Sequence, residues 1–134
     1  MAFFEWDDTL TLGDPVIDRQ HKRLVDLINK ISECSDSPDR DAQIMHCLTS
    51  MYLYAKEHFF DEEGFMTRLS YPDRARHAEL HQEFVQKTND LTDACLTDSM
   101  LYPDLLEFLV SWLRGHITVE DARIMAFVKD KRAG

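Results

Sequence analysis

Five of the six histidines sit at spacings that helical geometry would turn toward one point. His58 and Glu62 are four residues apart, as are His77 and His81. His116 follows Trp112 by four, Asp121 lies five beyond it, and His21 is in phase with Leu24, Leu27 and Ile31. Residues i and i+4 share a helix face, so these polar groups would lie on seams that are otherwise apolar. An unpaired buried polar group costs a few kcal/mol, and a bare charge more. One such histidine alone is more often a satisfied core residue than a ligand. Two H-x-x-x-[HE] pairs with two further seam histidines, on four successive segments, are hard to explain that way. A cation would answer the problem, and imidazole with carboxylate suits iron, zinc, copper, nickel or manganese. The set His21, His58, Glu62, His77, His81, His116 and Asp121 exceeds the six positions of one octahedral ion. If both carboxylates and one oxo or hydroxo group bridge two such ions, a single coordination position stays open for a small ligand. His46 is an internal control. It lies twelve residues before His58, about 120° around a helix, and should face water.

Four amphipathic segments must carry these residues. Segment A runs from about Asp18 to Glu33, with His21, Leu24, Leu27 (with Ile28) and Ile31 inward. Ser35, Asp36, Ser37, Pro38 and Asp39 break it. Segment B runs from about Asp39 to Leu69 with an unbroken 4-3-4-3 row: Ile44, Leu48, Met51, Ala55, His58, Glu62, Phe65, Leu69. A seam that long faces a packed neighbour throughout. After the turn Tyr71-Pro72-Asp73, segment C spans about Arg74 to Cys95, with His77, His81, Phe84, Thr88 and Leu91 in one row. A polar loop with Asp98, Ser99 and Pro103 leads to segment D, about Pro103 to Lys129, with Leu105, Leu109, Trp112, His116 and Val119 (or Glu120) inward. Short connections predict an all-α, antiparallel up-down-up-down four-helix bundle. The first 18 or so residues read as an extended arm, because Gly13, Asp14 and Pro15 oppose helix. Phe3, Phe4 and Trp6 would pack that arm beside segment A.

Composition narrows the function. The chain of 134 residues is one domain's worth, and Gly and Pro number only four each, which favours helices. Twenty-five acidic against fifteen basic residues give a formal charge of −10. Such a surface repels phosphate backbones and anionic lipid, so neither nucleic acid nor membrane is an expected partner. No apolar run reaches the ~20 residues of a membrane span, and the first residues do not resemble a signal peptide. Cys34, Cys47 and Cys95 are odd in number and form no C-x-x-C pair, so reduced thiols and a cytoplasmic location are expected.

The ordered motifs resemble the haemerythrin family, specifically its single-domain bacterial members. The likeness spans nearly the whole chain, 1–134, as one haemerythrin-like di-iron domain. It rests on Trp6-Asp7-Asp8, on Ile17-Asp18-Arg19-Gln20-His21-Lys22-Arg23-Leu24, and on His58-Phe59-Phe60-Asp61-Glu62-Glu63 with Met66. It continues through Tyr71-Pro72, His77-Ala78-Glu79-Leu80-His81 with Phe84, and Trp112-Leu113-Arg114-Gly115-His116-Ile117 with Asp121. No ligand position of the family pattern is substituted. Myohemerythrin exemplifies this bundle topology. The resemblance implies two iron ions (Fe2+/Fe3+) bridged by an oxo or hydroxo group, Glu62 and Asp121. His77, His81 and His116 would hold one iron. His21 and His58 would hold the other, which keeps the open position. It also implies reversible binding of dioxygen, held as hydroperoxide at that second iron, for storage, transport or scavenging by a monomer.

Leu24, Phe59, Trp112, Leu113 and Ile117 would wall the oxygen pocket and exclude water and protons, though each also reads as plain core. Alternatives to oxygen carriage are an oxygen- or redox-sensing domain and a di-iron peroxidase or oxidase. Oxidase-type bundles use carboxylate-rich sets with Glu-x-x-His pairs, which these seams lack. The expectation is therefore a binding protein and not an enzyme, with at most a peroxidase-like side activity. Two features fit less well. On an ideal helix Asp121 lies about 140° from His116, so a local π-bulge redirects it or it reaches in from the flank. Gly64 weakens segment B without evident reason, and Glu63 reads as solvated unless it orients an outer group.

Overall fold

A computed structural model describes residues 3–34 and 38–133. The break expected at Ser35, Asp36 and Ser37 lies outside the described residues. Helix α1 spans Pro15–Glu33, α2 Arg40–Leu69, α3 Arg74–Thr97 and α4 Tyr102–Gly115. A π-helical turn, His116–Asp121, joins α4 to α5, Ala122–Ala133, to complete a fourth rod. The α1 helix packs on α2 and α4, and α3 packs on the same two. Four rods joined by short connections thus close an antiparallel ring, the four-helix bundle the periodicities predict. Among the described residues no strand occurs and no helix is long and apolar enough to cross a membrane.

The first helix starts at Pro15, earlier than the sequence expectation. Proline is tolerated at a first helical position, where its missing N–H would have no partner anyway. Asp14 precedes it, and its carboxylate accepts from the Val16 and Ile17 N–H groups, both at 3.0 Å. The arm is not wholly extended either, since Asp8–Leu10 form a 3₁₀ turn. Phe4 is its anchor: the side chain is buried, and its backbone pairs with the Asn29 amide in both directions. Trp6 is half-buried, whereas Phe3 points outward. Asp18 ties the arm to α1 by accepting from the Leu12 and Gly13 N–H groups.

The core is aliphatic through one half of the bundle, with Ile28, Ile31, Ile44, Met51, Leu105 and Leu109 almost completely enclosed. Toward the other half the same seams carry histidines and acids. The inward row of α2 holds as expected from Ile44 to Glu62, then departs. Met66 is enclosed, while Phe65 and Leu69 are only half-buried and pack on a small cluster of Met66, Tyr71 and Ile124. A 3.5-residue repeat drifts on a 3.6-residue helix, and over eight turns the buried stripe moves by one position. Leu91 of α3 is likewise half-buried, with Cys95 enclosed instead. The α2 helix ends on Ser70, whose left-handed backbone (φ 55°) lets the Tyr71 N–H reach the Met66 carbonyl.

Candidate metal centre

All seven candidate residues converge in the bundle interior, each at most 5% exposed. His21 comes from α1, His58 and Glu62 from α2, His77 and His81 from α3, and His116 and Asp121 from the π turn. His46 is exposed on α2, as its helical angle requires.

The donors form two overlapping sets. Glu62, His77, His81, His116 and Asp121 offer ligand atoms within 4.8 Å of one another, and so do His21, His58, Glu62 and Asp121. Only the two carboxylates are shared, and they divide their oxygens between the sets. Glu62 Oε1 lies 2.7 Å from His77 Nε2 and 3.1 Å from His81 Nε2; Asp121 Oδ1 lies 3.0 Å from His77 Nε2 and 3.1 Å from His116 Nε2. On the other side, Glu62 Oε2 is 3.4 Å from His58 Nε2, and Asp121 Oδ2 is 3.0 Å from His21 Nε2.

The π turn delivers the last two members. The Ala122 N–H reaches back five residues to the Ile117 carbonyl, which widens the helix and carries Asp121 onto the side of His116. This resolves the angular misfit in favour of the bulge. The Thr118 hydroxyl donates to the Arg114 carbonyl at 2.8 Å, satisfying an acceptor at the distorted turn. Val119 is correspondingly displaced from the core, 47% exposed, and Glu120 binds Arg76 instead of facing inward.

Electrostatics show what the cluster lacks. Burial pushes the Glu62 carboxyl up, but hydrogen bonds from His116, His58, His77 and His81 hold it well below its ordinary value. Asp121 is pushed up by burial and by Glu62, yet His116 and His21 lower it overall. Burial pulls His116 down, and the opposing carboxylates of Asp121 and Glu62 raise it to about 9. His77 is raised by the same pair against the pull of burial. Protons thus stand where positive charge is needed, and they do so incompletely. Both nitrogens of His21, Glu62 Oε2 and both oxygens of Asp121 are enclosed without a hydrogen bond of proper geometry. His81 Nε2 and His116 Nε2 face each other at 3.2 Å. Orphaned donors of this type, aimed at two common points, fit a pair of cations.

Two outer contacts orient the imidazoles. Gln20 Oε1 lies 2.6 Å from His58 Nδ1, and Glu63 Oε2 lies 3.0 Å from His81 Nδ1. An amide oxygen and a carboxylate can only accept there, so each Nδ1 carries the proton and each Nε2 keeps its lone pair free for a metal. Gln20 in turn donates to Asp61 at 3.0 Å. Glu63 is therefore bound to the site and not merely solvated. Gln20 belongs to the motif before His21, but what it touches is not visible in the motif, because its partner lies 38 residues away on another helix.

Leu24, Phe59, Trp112 and Leu113 line an apolar cavity of about 10 Å³ together with Ile28, Met51, Ala55 and Phe84. Ile117 is fully enclosed but is not among the cavity's lining residues. Phe59 stacks on His81 (centroids 3.9 Å) and Trp112 on His116 (4.3 Å), so the cavity wall is also the wall of the donor cluster. That space is near the minimum for one water-sized guest.

Fold and site together define a helical-bundle metalloprotein whose buried histidine-carboxylate cluster fits a di-iron centre. A family model described as "Hemerythrin HHE cation binding domain" matches residues 12–128, and the chain belongs to this family. A protein named Bacteriohemerythrin from Pseudomonas aeruginosa is 29% identical across this whole chain and 92% of its own length. One of the same name from Clostridium acetobutylicum is 27% identical over 88% of this chain and 95% of its own. A solved structure of a hemerythrin point mutant superposes with a TM-score of 0.77 at 25% identity, over 91% of this chain and 94% of that one. A second, at TM-score 0.80 and 24% identity over 95% and 98%, supports the shared fold.

Proposed function

We propose that the chain, acting as one domain, binds dioxygen reversibly at a di-iron centre. The observation that carries the proposal is the division of the buried donors into a three-histidine set and a two-histidine set that share Glu62 and Asp121. In this reading His77, His81 and His116 hold one iron, His21 and His58 hold the other, and the two carboxylates bridge. The two-histidine set supplies fewer protein donors, so the open position falls there. When bound, the iron pair supplies the electrons for reversible attachment of oxygen, with hydroperoxide as the bound form that the family likeness suggests.

The chain's own residues supply orientation and exclusion. Gln20 and Glu63 hold the imidazole tautomers that leave Nε2 available. Leu24, Phe59, Trp112 and Leu113 keep the approach apolar, which slows the entry of protons and water. The donor set is rich in neutral imidazole, which favours carriage over oxidase chemistry. Three free thiols support a reducing compartment such as the cytoplasm.

The test is a cycle on the iron-loaded protein. Metal analysis should give two irons per chain. Anaerobic reduction, admission of oxygen and purging should produce a charge-transfer colour that appears and fades repeatedly. Irreversible conversion on first exposure, or turnover of peroxide faster than oxygen release, would overturn carriage. In His58→Ala the oxygen-binding iron should be lost or loosened; full retention of two irons and of the reversible colour would show the ligand assignment to be wrong.

A further inference from the structure

At the α1–α2 connection, where aliphatic residues fill the core, Cys34 and Cys47 bring their sulfur atoms to 4.0 Å. Cys34 caps the C-terminus of α1, and Cys47 lies two turns into α2. Thirteen residues separate Cys34 from His21, about 20 Å of helix, so the pair is remote from the donor cluster. Both thiols are free and half-buried, and they line an open groove with Asp39, Ala42, Gln43 and His46. Cys95, the third thiol, is enclosed in the core and contributes nothing to that groove.

We infer that Cys34 and Cys47 are a reversible dithiol–disulfide pair, oxidised by hydrogen peroxide to a staple between α1 and α2. A disulfide requires sulfurs about 2.05 Å apart, so from 4.0 Å each must move by about 1 Å. One thiolate attacks a peroxide oxygen, the O–O bond breaks, and a sulfenic acid and water form, with one proton taken up. The second thiol then displaces the sulfenic oxygen as water, and the S–S bond closes. Two thiols and one hydrogen peroxide give one disulfide and two waters; two electrons pass from sulfur to peroxide. The groove admits the oxidant, and the nearby partner intercepts the sulfenic acid before further oxidation.

Burial raises the Cys47 thiol, Cys34 raises it further, and Lys30 opposes only partly. Little Cys47 thiolate is therefore present at neutral pH, and its oxidation is slow. The same lack of thiolate stabilisation leaves the reduced form unfavoured, which makes the closed disulfide persistent once formed. The bond would close a short loop and restrict the unfolded chain, so it should stabilise the bundle.

The experiment treats the fully reduced, iron-loaded chain with a modest excess of hydrogen peroxide, followed by alkylation, proteolysis and mass mapping. The expected product has lost two hydrogens and contains a Cys34–Cys47 cross-linked peptide. Cys95 should alkylate only after denaturation. The melting midpoint should rise by several degrees and return on addition of dithiothreitol. Cys95→Ser should behave identically, whereas Cys34→Ser should gain oxygen on Cys47 and show no midpoint rise. Separate alkylation of Cys34 and Cys47 after peroxide, sulfinic acid in place of the cross-link, or cross-linking only between chains would overturn the proposal. The wild-type peptide map decides the matter even if a serine variant fails to fold.

Discussion

Removing the metal and raising the pH should destabilise this protein in a window set by one histidine. His116 Nε2 lies 3.1 Å from Asp121 Oδ1 and 3.7 Å from Glu62 Oε1, and this pairing raises its pKa from 6.5 to about 9. The imidazolium is therefore favoured in the folded state. Its contribution is complete below pH 6.5 and is lost as the pH rises through about 9. The rise corresponds to about 3 kcal/mol, and His77, raised by the same carboxylates, acts in the same direction. Glu62 and Asp121 are lowered by those contacts, so the same attraction must not be counted twice. Their contribution is present above their ordinary values of 4.5 and 3.8 and is lost on acidification. The metal-free chain should thus be most stable between about pH 4.5 and 6.5. Urea unfolding of metal-free protein at about pH 6, 8 and 9.5 should show a progressive loss approaching ~3 kcal/mol. In the metal-loaded protein a cation occupies the proton's place, and the loss over that window should disappear. Equal metal-free stability at pH 6 and 9.5, or a parallel loss in both forms, would show that the cluster does not hold its charge this way.

Two substitutions and one deletion probe the surroundings. Glu63→Gln keeps an acceptor for His81 but removes the charge; metal affinity by chelator competition should fall about 10-fold, with metal-free stability nearly unchanged because the Glu63 side chain is 42% exposed. Unchanged affinity would relegate Glu63 to the surface. Gly64→Ala should stabilise α2 by about 0.5–1 kcal/mol, because an added Cβ would meet only the flexible end of Arg68 at 3.4 Å; a lower urea midpoint would reveal a need for glycine that the backbone does not show. Deleting Val119 should convert the π turn to regular helix while keeping the register of α5, bringing His116 and Asp121 to a four-residue spacing on one face and leaving metal-free stability equal or higher. Marked loss of metal-free stability would mean that packing, rather than the site, requires the bulge.

Much of this architecture was legible because the seams are long. The row Ile44, Leu48, Met51, Ala55, His58, Glu62 specifies both the helix and the residues it presents, and the burial of each follows. Histidines and acids could be picked out because they interrupt rows of aliphatic residues, and His46 because it does not. Boundaries were less legible. Pro15 reads as a helix breaker until its position relative to Asp14 is known, and the shift from Phe65 to Met66 depends on drift accumulated over the whole of α2. The contact between Cys34 and Cys47 could not be read at all, since it depends on how two helix ends approach.

The outer contacts follow a rule that spacing along one helix cannot express. Gln20 adjoins His21 on α1 but orients His58 of α2; Glu63 adjoins Glu62 on α2 but orients His81 of α3. A residue next to an inward ligand lies about 100° away on the helix, at the flank of the seam, where it faces the adjacent rod. α1 and α2 thereby each send an acceptor to a histidine on the next rod as well as ligands to the centre, so orientation of His58 and His81 depends on the rods being packed together. The fourth rod solves its own version differently. It must send both His116 and Asp121 inward from positions five apart, and an α-helix cannot do so without turning one aside. The π turn accepts a local loss of regular hydrogen bonding, displaces Val119 to solvent, and places Asp121 Oδ1 and Oδ2 against opposite histidine sets. Since π geometry is rare and frequent at functional sites, its placement at this one point in an otherwise regular bundle accords with its delivery of the second carboxylate shared by both histidine sets.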